Sequence, residues 1–169
     1  MSWALLSLQR ASTLSEWIIL MLIGGICIVA SAIDLRTFLL PNVFTYSGAV
    51  IVLGASYVGL LSTSFADSLS GAIVGPFILW AVAALFKLAK NMDGLGFGDV
   101  KFMVMLGGFV GWQGLSWLIL IASISALIFA LFYLKGKDDI TRTPIPFGPF
   151  LALGACVTYV YLPKIQALL

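Results

Sequence analysis

The sequence predicts an all-α fold: a polytopic membrane helix bundle of about six transmembrane helices, forming one integral membrane domain over residues 1–169. Three observations carry this expectation. Hydrophobic residues make up 62% of the chain and charged residues 9%, with a mean hydropathy of +1.13; an ordinary soluble domain carries about 25% charged residues. The apolar residues gather into runs that approach the length needed to cross a bilayer, roughly 17 to 25 helical residues. Basic residues collect in alternate connections between those runs, the asymmetry that orients membrane helices.

Taken in order, residues 1–16 mix Trp3, Leu5, Leu6 and Leu8 with Arg10 and Glu16, a pattern suited to an interfacial or flexible segment. The first apolar run is residues 17–33, opened by Trp17. Ala30-Ser31-Ala32 imitates a signal-peptide cleavage site, but the flank is Glu16 rather than a basic cluster and the run exceeds an ordinary signal core, so a retained span is expected. Pro41 stops what precedes it, and Asn42 is placed to cap the second run, residues 43–61. Residues 62–68 form a polar turn holding Asp67. The third run, residues 69–88, has Gly71, Gly75 and Pro76 in its outer half, and small residues there permit close helix packing. A loop from Lys87 to Asp99 leads to a short fourth run, residues 100–112, with Gln113 and Gly114 as the turn that follows it. The fifth run is residues 115–134. A charged loop rich in Thr and Pro covers residues 135–146, and the sixth run, residues 147–162, ends at Pro163-Lys164.

With six spans, Arg36, Lys87, Lys90, Lys101, Lys135, Lys137 and Arg142 fall on one side, and only Arg10 and Lys164 on the other. The side with seven is expected to be cytoplasmic and both termini outward. Asp34 and Asp99 then both sit at cytoplasmic ends of their helices.

Several chemistries are excluded. The chain has no histidine, which removes Ser-His triads, histidine metal sites and histidine proton switches. Cys27 and Cys156 are isolated in apolar runs without a Cys-x-x-Cys pair, so no zinc site, metal or cofactor is expected; both read as small buried hydrophobes. The net charge of +2 comes from scattered basic residues, so no nucleic-acid partner is expected.

One stretch stands out: Gly94-Leu95-Gly96-Phe97-Gly98-Asp99-Val100-Lys101. Three glycines in five positions let another chain approach the backbone closely, and an acid follows at the doorway of an apolar run, where it is costly. The plain alternative is that Asp99 only N-caps a helix beginning at Val100. A second acid, Asp34, lies on the same predicted face. Two carboxylates at a shared site suit peptide hydrolysis: one acts as general base on water, while the other, protonated, polarises the scissile carbonyl and later hands a proton to the amine. Two nearby carboxylates do not both ionise cheaply, so one proton is shared and the pair titrates as a unit. Gly96 and Gly98 would let an extended substrate lie close to Asp99. Asp67, Asp93, Asp138 and Asp139 read as interfacial charges, and Lys101 is expected either to reach the interface or to pair with an aspartate.

Three ordered motifs are similar to a known family. Asp34 with Leu39-Leu40-Pro41-Asn42, then the glycine motif through Asp99 to Lys101, then Pro146-Phe147-Gly148-Pro149-Phe150-Leu151-Ala152, resemble the type IV prepilin peptidases, which belong to the Gly-x-Gly-Asp intramembrane aspartyl proteases. The resemblance covers roughly residues 34–155. It implies catalytic roles for Asp34 and Asp99, with Gly96, Gly98, Lys101, Pro146, Gly148 and Pro149 as residues of substrate approach or structure. It implies cleavage of short basic leaders from prepilins or pseudopilins, after a glycine, at the cytoplasmic face of the bacterial inner membrane, with the substrate's apolar helix left in the lipid bilayer. Many bacterial members also carry an N-terminal region with paired Cys-x-x-Cys motifs and N-methylate the trimmed pilin. Here 33 residues precede Asp34 and Cys27 stands alone, so protease activity without methyl transfer is expected. Two other readings compete: a proton-coupled transporter or channel subunit, whose acids would sit near the midplane of broken helices, and a non-catalytic scaffold of a secretion machine.

Overall fold

The computed structural model describes residues 14–90, 96–133 and 145–166. Five helices account for almost all of them: α1 (Leu14–Thr37), α2 (Asn42–Tyr57), α3 (Phe65–Lys90), α4 (Phe97–Tyr133) and α5 (Gly148–Gln166). Four of them each coincide with one apolar run of the sequence, α4 takes up the fourth and fifth runs together, and the ends differ for local reasons. α1 continues four residues past its apolar run to Thr37, so Asp34 and Arg36 lie in its last turn. Asn42 does not cap α2. It is the first helical residue, and Pro41 occupies the cap position in an extended conformation. α3 begins inside the expected polar turn because Ser64 and Asp67 form a reciprocal cap. The Asp67 N–H donates to Ser64 Oγ (3.2 Å), and the Ser64 hydroxyl donates to Asp67 Oδ2 (2.8 Å), the pattern of a capping box with Asp in place of Glu. The backbone of α5 continues through Pro163, which was expected to end it, as far as Gln166.

α4 is two rods. Gly111 interrupts it with φ 72° and ψ 174°, a conformation essentially confined to glycine. The break falls at Gly111 rather than at Gln113-Gly114. It reverses the chain, as Gly75 on α3 shows. A Cβ built there would lie 3.1 Å from Met103 Cγ and 3.1 Å from Leu115 Cδ2, so these two side chains are at most twice that distance apart, whereas twelve residues of straight helix would separate them by about 18 Å. The first arm, residues 97–110, ends in carbonyls that its own helix leaves unpaired. Ser68 Oγ donates to the Gly108 carbonyl (2.7 Å) and Thr63 Oγ1 to the Phe109 carbonyl (3.1 Å).

The first arm of α4 is the centre of the molecule. Phe102, Met103, Met105 and Leu106 are fully buried, and Phe109 and Val110 nearly so; a helix that is apolar and covered on all sides belongs to a core. α3 packs against it backbone to backbone, for a Cβ on Gly71 would collide with the Gly107 carbonyl and one on Gly107 with that of Gly71. The close packing expected of Gly71 and Gly75 is therefore present. On the opposite side Gly48 of α2 accepts the Met105 side chain against its bare Cα.

Three helices are long and apolar enough to cross a membrane, Ser15–Thr37, Phe65–Ala89 and Phe97–Tyr133, and α5 adds a shorter apolar stretch, Gly148–Tyr161. The chain is a membrane helix bundle. With α4 folded back, six rods alternate in direction. One end of the bundle gathers the C-terminus of α1, the N-terminus of α2 and the starts of α4 and α5. The second arm of α4 returns there, where Phe129 meets Phe150 of α5 (ring centroids 5.4 Å apart). The far end holds the α2–α3 connection, the break at Gly111 and the later part of α5, joined by the Ser62–Tyr159 hydroxyl bond (3.1 Å) and by Phe109 stacked on Tyr159 (4.2 Å).

Candidate functional site

Asp34 and Asp99 are both buried, 4% and 7% exposed, at the end of the bundle where α1 stops and α2, α4 and α5 begin. α1 delivers Asp34 in its last turn. The chain then leaves the helix through Phe38, which takes a left-handed conformation (φ 54°) while its N–H bonds back to the Asp34 carbonyl (2.9 Å). A bulky residue with positive φ is strained backbone, and here it turns the link so that Leu40 points inward. α4 delivers Asp99. The helix begins at Phe97, so Asp99 lies within the first turn rather than at the cap, and its N–H bonds to the Gly96 carbonyl (3.1 Å). The capping role is thereby excluded; the helix dipole still favours an acid at this position.

The third contributor is the start of α5. Phe147 precedes the helix, its carbonyl accepting the N–H groups of Phe150 and Leu151 (both 3.1 Å). Pro149 falls in the first turn, where its missing N–H costs nothing. The first-turn N–H of Gly148 has no partner within its own helix and donates instead to Asp34 Oδ2 at 3.0 Å, a buried bond spanning 114 positions of sequence. A Cβ at Gly148 would stand 2.8 Å from that oxygen, so glycine is what permits the bond. Pro146 is buried beside it.

Leu40 joins the two halves. Its Cδ1 lies 3.4 Å from the position a Cβ would take on Gly148 and 3.6 Å from that on Gly98. It is an apolar wedge between the segment bonded to Asp34 and the segment carrying Asp99. This alters the reading of the glycines. A Cβ on Gly98 would meet Leu40 Cβ at 3.1 Å and its N at 3.4 Å, so this bare Cα faces the protein's own α1–α2 link. A Cβ on Gly96 would stand 3.3 Å from Asp99 Oδ2. The positive-φ glycines among the described residues are Gly59 and Gly111, so neither motif glycine is there for a left-handed backbone.

The two carboxylates sit on the two segments that Leu40 joins. Asp99 Oδ1 is buried without a hydrogen-bond partner. Lys101 neither reaches outward alone nor bonds an aspartate; its Nζ donates to Asn42 Oδ1 (3.0 Å), fastening α4 to the start of α2. No group of three or more potential metal ligands exists among the described residues. Asp67 belongs to the far end and is occupied with capping α3. Asp93, Asp138 and Asp139 lie outside the described residues, as do most of residues 1–16 and most of the loop over residues 135–146. Sequence reading gave no role to Leu40 or to the Asn42–Lys101 bond. Leu40 and Asn42 stood in the family-like stretch after Asp34 and Lys101 closed the glycine motif, but nothing in those stretches said what they contact.

Residues 21–131 match the model of the type IV leader peptidase family. That stretch includes Asp34 and Asp99 and stops short of Gly148. The chain is similar to the prepilin leader peptidase/N-methyltransferase of Pseudomonas aeruginosa, 38% identical over 131 residues, which is 78% of this chain and 45% of that protein. It is similar to the protein so named in Stutzerimonas stutzeri, 37% identical over 143 residues, covering 81% of this chain and 47% of the relative. In Aeromonas salmonicida the figure is 32% over 165 residues, 94% of this chain and 55% of the relative. The chain thus spans about half the length of the curated relatives it matches. No solved structure matches it.

Proposed function

Because the chain belongs to the type IV leader peptidase family, we propose that it is an intramembrane aspartyl endopeptidase that cuts the basic leader from type IV prepilins or pseudopilins, with Asp34 and Asp99 as its catalytic pair. The observation that carries the reading is the convergence of two buried aspartates, from α1 and α4, at one end of the bundle. The names of the relatives, which include leader peptidase activity, support the same substrate class.

The chemistry follows from the pair. A water held between the carboxylates loses a proton to the ionised one as it attacks the scissile carbonyl. The protonated one stabilises the developing oxyanion and then protonates the leaving amine. The site lies at the cytoplasmic face of a bacterial inner membrane, the chain crosses that membrane six times, and the apolar helix of the substrate stays in the bilayer beside the enzyme. A basic leader is drawn to a site that itself carries acids. Gly96 keeps space beside Asp99 Oδ2. Gly98, Pro146, Gly148 and Pro149 shape the start of α4 and α5, and Lys101 ties α4 to α2.

The transporter reading needs acids near the midplane of broken helices. Here the acids sit at one end, and the broken helix, α4, is interrupted at the other. The test is purified protein in detergent mixed with a purified type IV prepilin and scored by gel mobility. A shift of leader size is expected. Its absence with folded enzyme would remove the peptidase reading and bring the transporter or scaffold forward.

A further inference from the structure

Both aspartates are buried, yet a peptide bond has to reach them. Leu40 stands in the way. It lies in the layer where α4 and α5 begin, with its Cβ 3.1 Å from the position a Cβ would take on Gly98 and its Cδ1 3.4 Å from that on Gly148. The aspartates are set deeper. The Phe38 N–H closes a helical turn on the Asp34 carbonyl, so the backbone of Asp34 is one turn further into the bundle than the link that carries Leu40. Asp99 follows Gly98 inward along α4. Along the link, Leu39 is exposed and Leu40 buried. The inward turn is made at Phe38, whose φ of 54° is strained for a residue with a side chain. The Phe38 side chain is itself exposed, so its own burial does not account for the strain. Thr37 steadies the turned link, its Oγ1 accepting the Leu39 N–H (3.3 Å) and donating to the Ile33 carbonyl (2.8 Å).

We propose that Leu40 is the gate of the site: the structure is the closed state, and the link swings Leu40 out from between Gly98 and Gly148, as Phe38 relaxes to negative φ, before a peptide bond reaches Asp34 and Asp99. The inference rests on the reading of this pair as the site of peptide cleavage. Both ends of the link are anchored. Thr37 is the last residue of α1, and α2 is held at its start by the Asn42–Lys101 bond. Between them Pro41 has a fixed φ of −64°, so the movement is confined to Phe38, Leu39 and Leu40. Because the closed and open forms differ in φ at position 38, the residue there sets their balance. Glycine accepts φ 54° freely and favours the closed form. Valine, branched at Cβ, resists that conformation and favours the open form. Alanine at position 40 removes most of the wedge in either form.

The accessibility of the pair tests this without turnover. The full chain in detergent is treated at one mildly acidic pH with a water-soluble carbodiimide and a small amine, which turn a carboxyl they reach into an amide. The rate at each aspartate is read by peptide mass spectrometry, with Asp67 at the far end as internal reference. Leu40→Ala and Phe38→Val should each label Asp34 and Asp99 about threefold faster or more than the unsubstituted chain, and Phe38→Gly about threefold slower or more, because the rate follows the population of the open form. Asp67 should be unchanged in all three. If Leu40→Ala unfolds, Asp67 accelerates with the rest, and the two substitutions at the exposed Phe38 still decide. Equal rates in Phe38→Val and Phe38→Gly, or the reverse order, overturn the gate. So does Leu40→Ala labelled at the unsubstituted rate. A purified prepilin should be cut faster by Phe38→Val than by Phe38→Gly. Labelling in the expected order without any cleavage counts against the peptidase reading alone. Normal cleavage with labelling indifferent to these substitutions counts against the gate alone.

Discussion

Asparagine at position 34 or 99 keeps the side-chain volume and an acceptor oxygen, so Asp34→Asn can still receive the Gly148 N–H and hold the start of α5. What it loses is the ability to take or give a proton. Each single substitution is expected to lower prepilin cleavage by roughly 10³-fold, within the range for acid–base partners, at matched membrane levels. The double variant should be hardly worse than either single, because groups that act as a unit are not additive. Asp67→Asn, at the far end, should cleave normally. Substantial cleavage by either Asp34→Asn or Asp99→Asn would sink the catalytic assignment. Gly98 offers a sharper test of what the motif glycines are for. If its bare Cα accommodates Leu40, Gly98→Val should cripple cleavage without preventing insertion, and Leu40→Ala in the same chain should recover part of it by vacating the space. If the glycine instead receives a substrate backbone, trimming Leu40 recovers nothing. The two aspartates were legible in the sequence because an acid at the end of an apolar run is conspicuous. Leu40 was not, since a leucine among leucines says nothing until the fold places it between two glycines.

At the scale of elements, apolar runs located every rod because bilayer thickness dictates their length, while the ends were decided by interactions the runs do not contain. Ser64 and Asp67 start α3 early through a reciprocal cap. Lys101 claims Asn42 across 59 positions. The reversal of α4 was readable as a glycine cluster, but which glycine breaks depends on where hydroxyls reach the freed carbonyls, and Thr63 of the α2–α3 connection and Ser68 of α3 select Gly111. The first arm, residues 97–110, is about 21 Å long at 1.5 Å per residue, short of the roughly 30 Å hydrocarbon core. Gly111→Ala should destabilise the hairpin. It forces a side chain into a glycine-only conformation, on the order of 1–3 kcal/mol, and sets a Cβ 2.6 Å from Thr63 Cγ2. The apparent melting temperature in detergent should fall by several degrees. Gly24→Ala, with nothing within 4 Å of its Cβ position, should leave it unchanged or slightly raised, as helix propensity favours alanine. Equal melting temperatures for the two variants would mean that the break tolerates a side chain.

For the whole molecule the decisive property is which end faces the cytoplasm. Six alternating rods put the aspartates, Arg36, Lys87 and Lys101 at one end and the α2–α3 connection with the turn at Gly111 at the other. On the orientation proposed above, the seven-to-two division of basic residues would turn the aspartate end inward. That is the face where a leader still attached to an uninserted, basic N-terminus would be met, so orientation and chemistry stand or fall together. The experiment begins by replacing Cys27 and Cys156, the two free cysteines, with alanine. Single cysteines are then placed at Arg36, exposed beside the aspartates, and at Ala66, exposed in the first turn of α3. A membrane-impermeant maleimide added to intact spheroplasts should label Ala66→Cys and spare Arg36→Cys until the membrane is opened. Labelling of Arg36→Cys from outside would place the carboxylate pair on the wrong face for leader cleavage, and the transporter reading would then account better for two buried acids at a membrane surface.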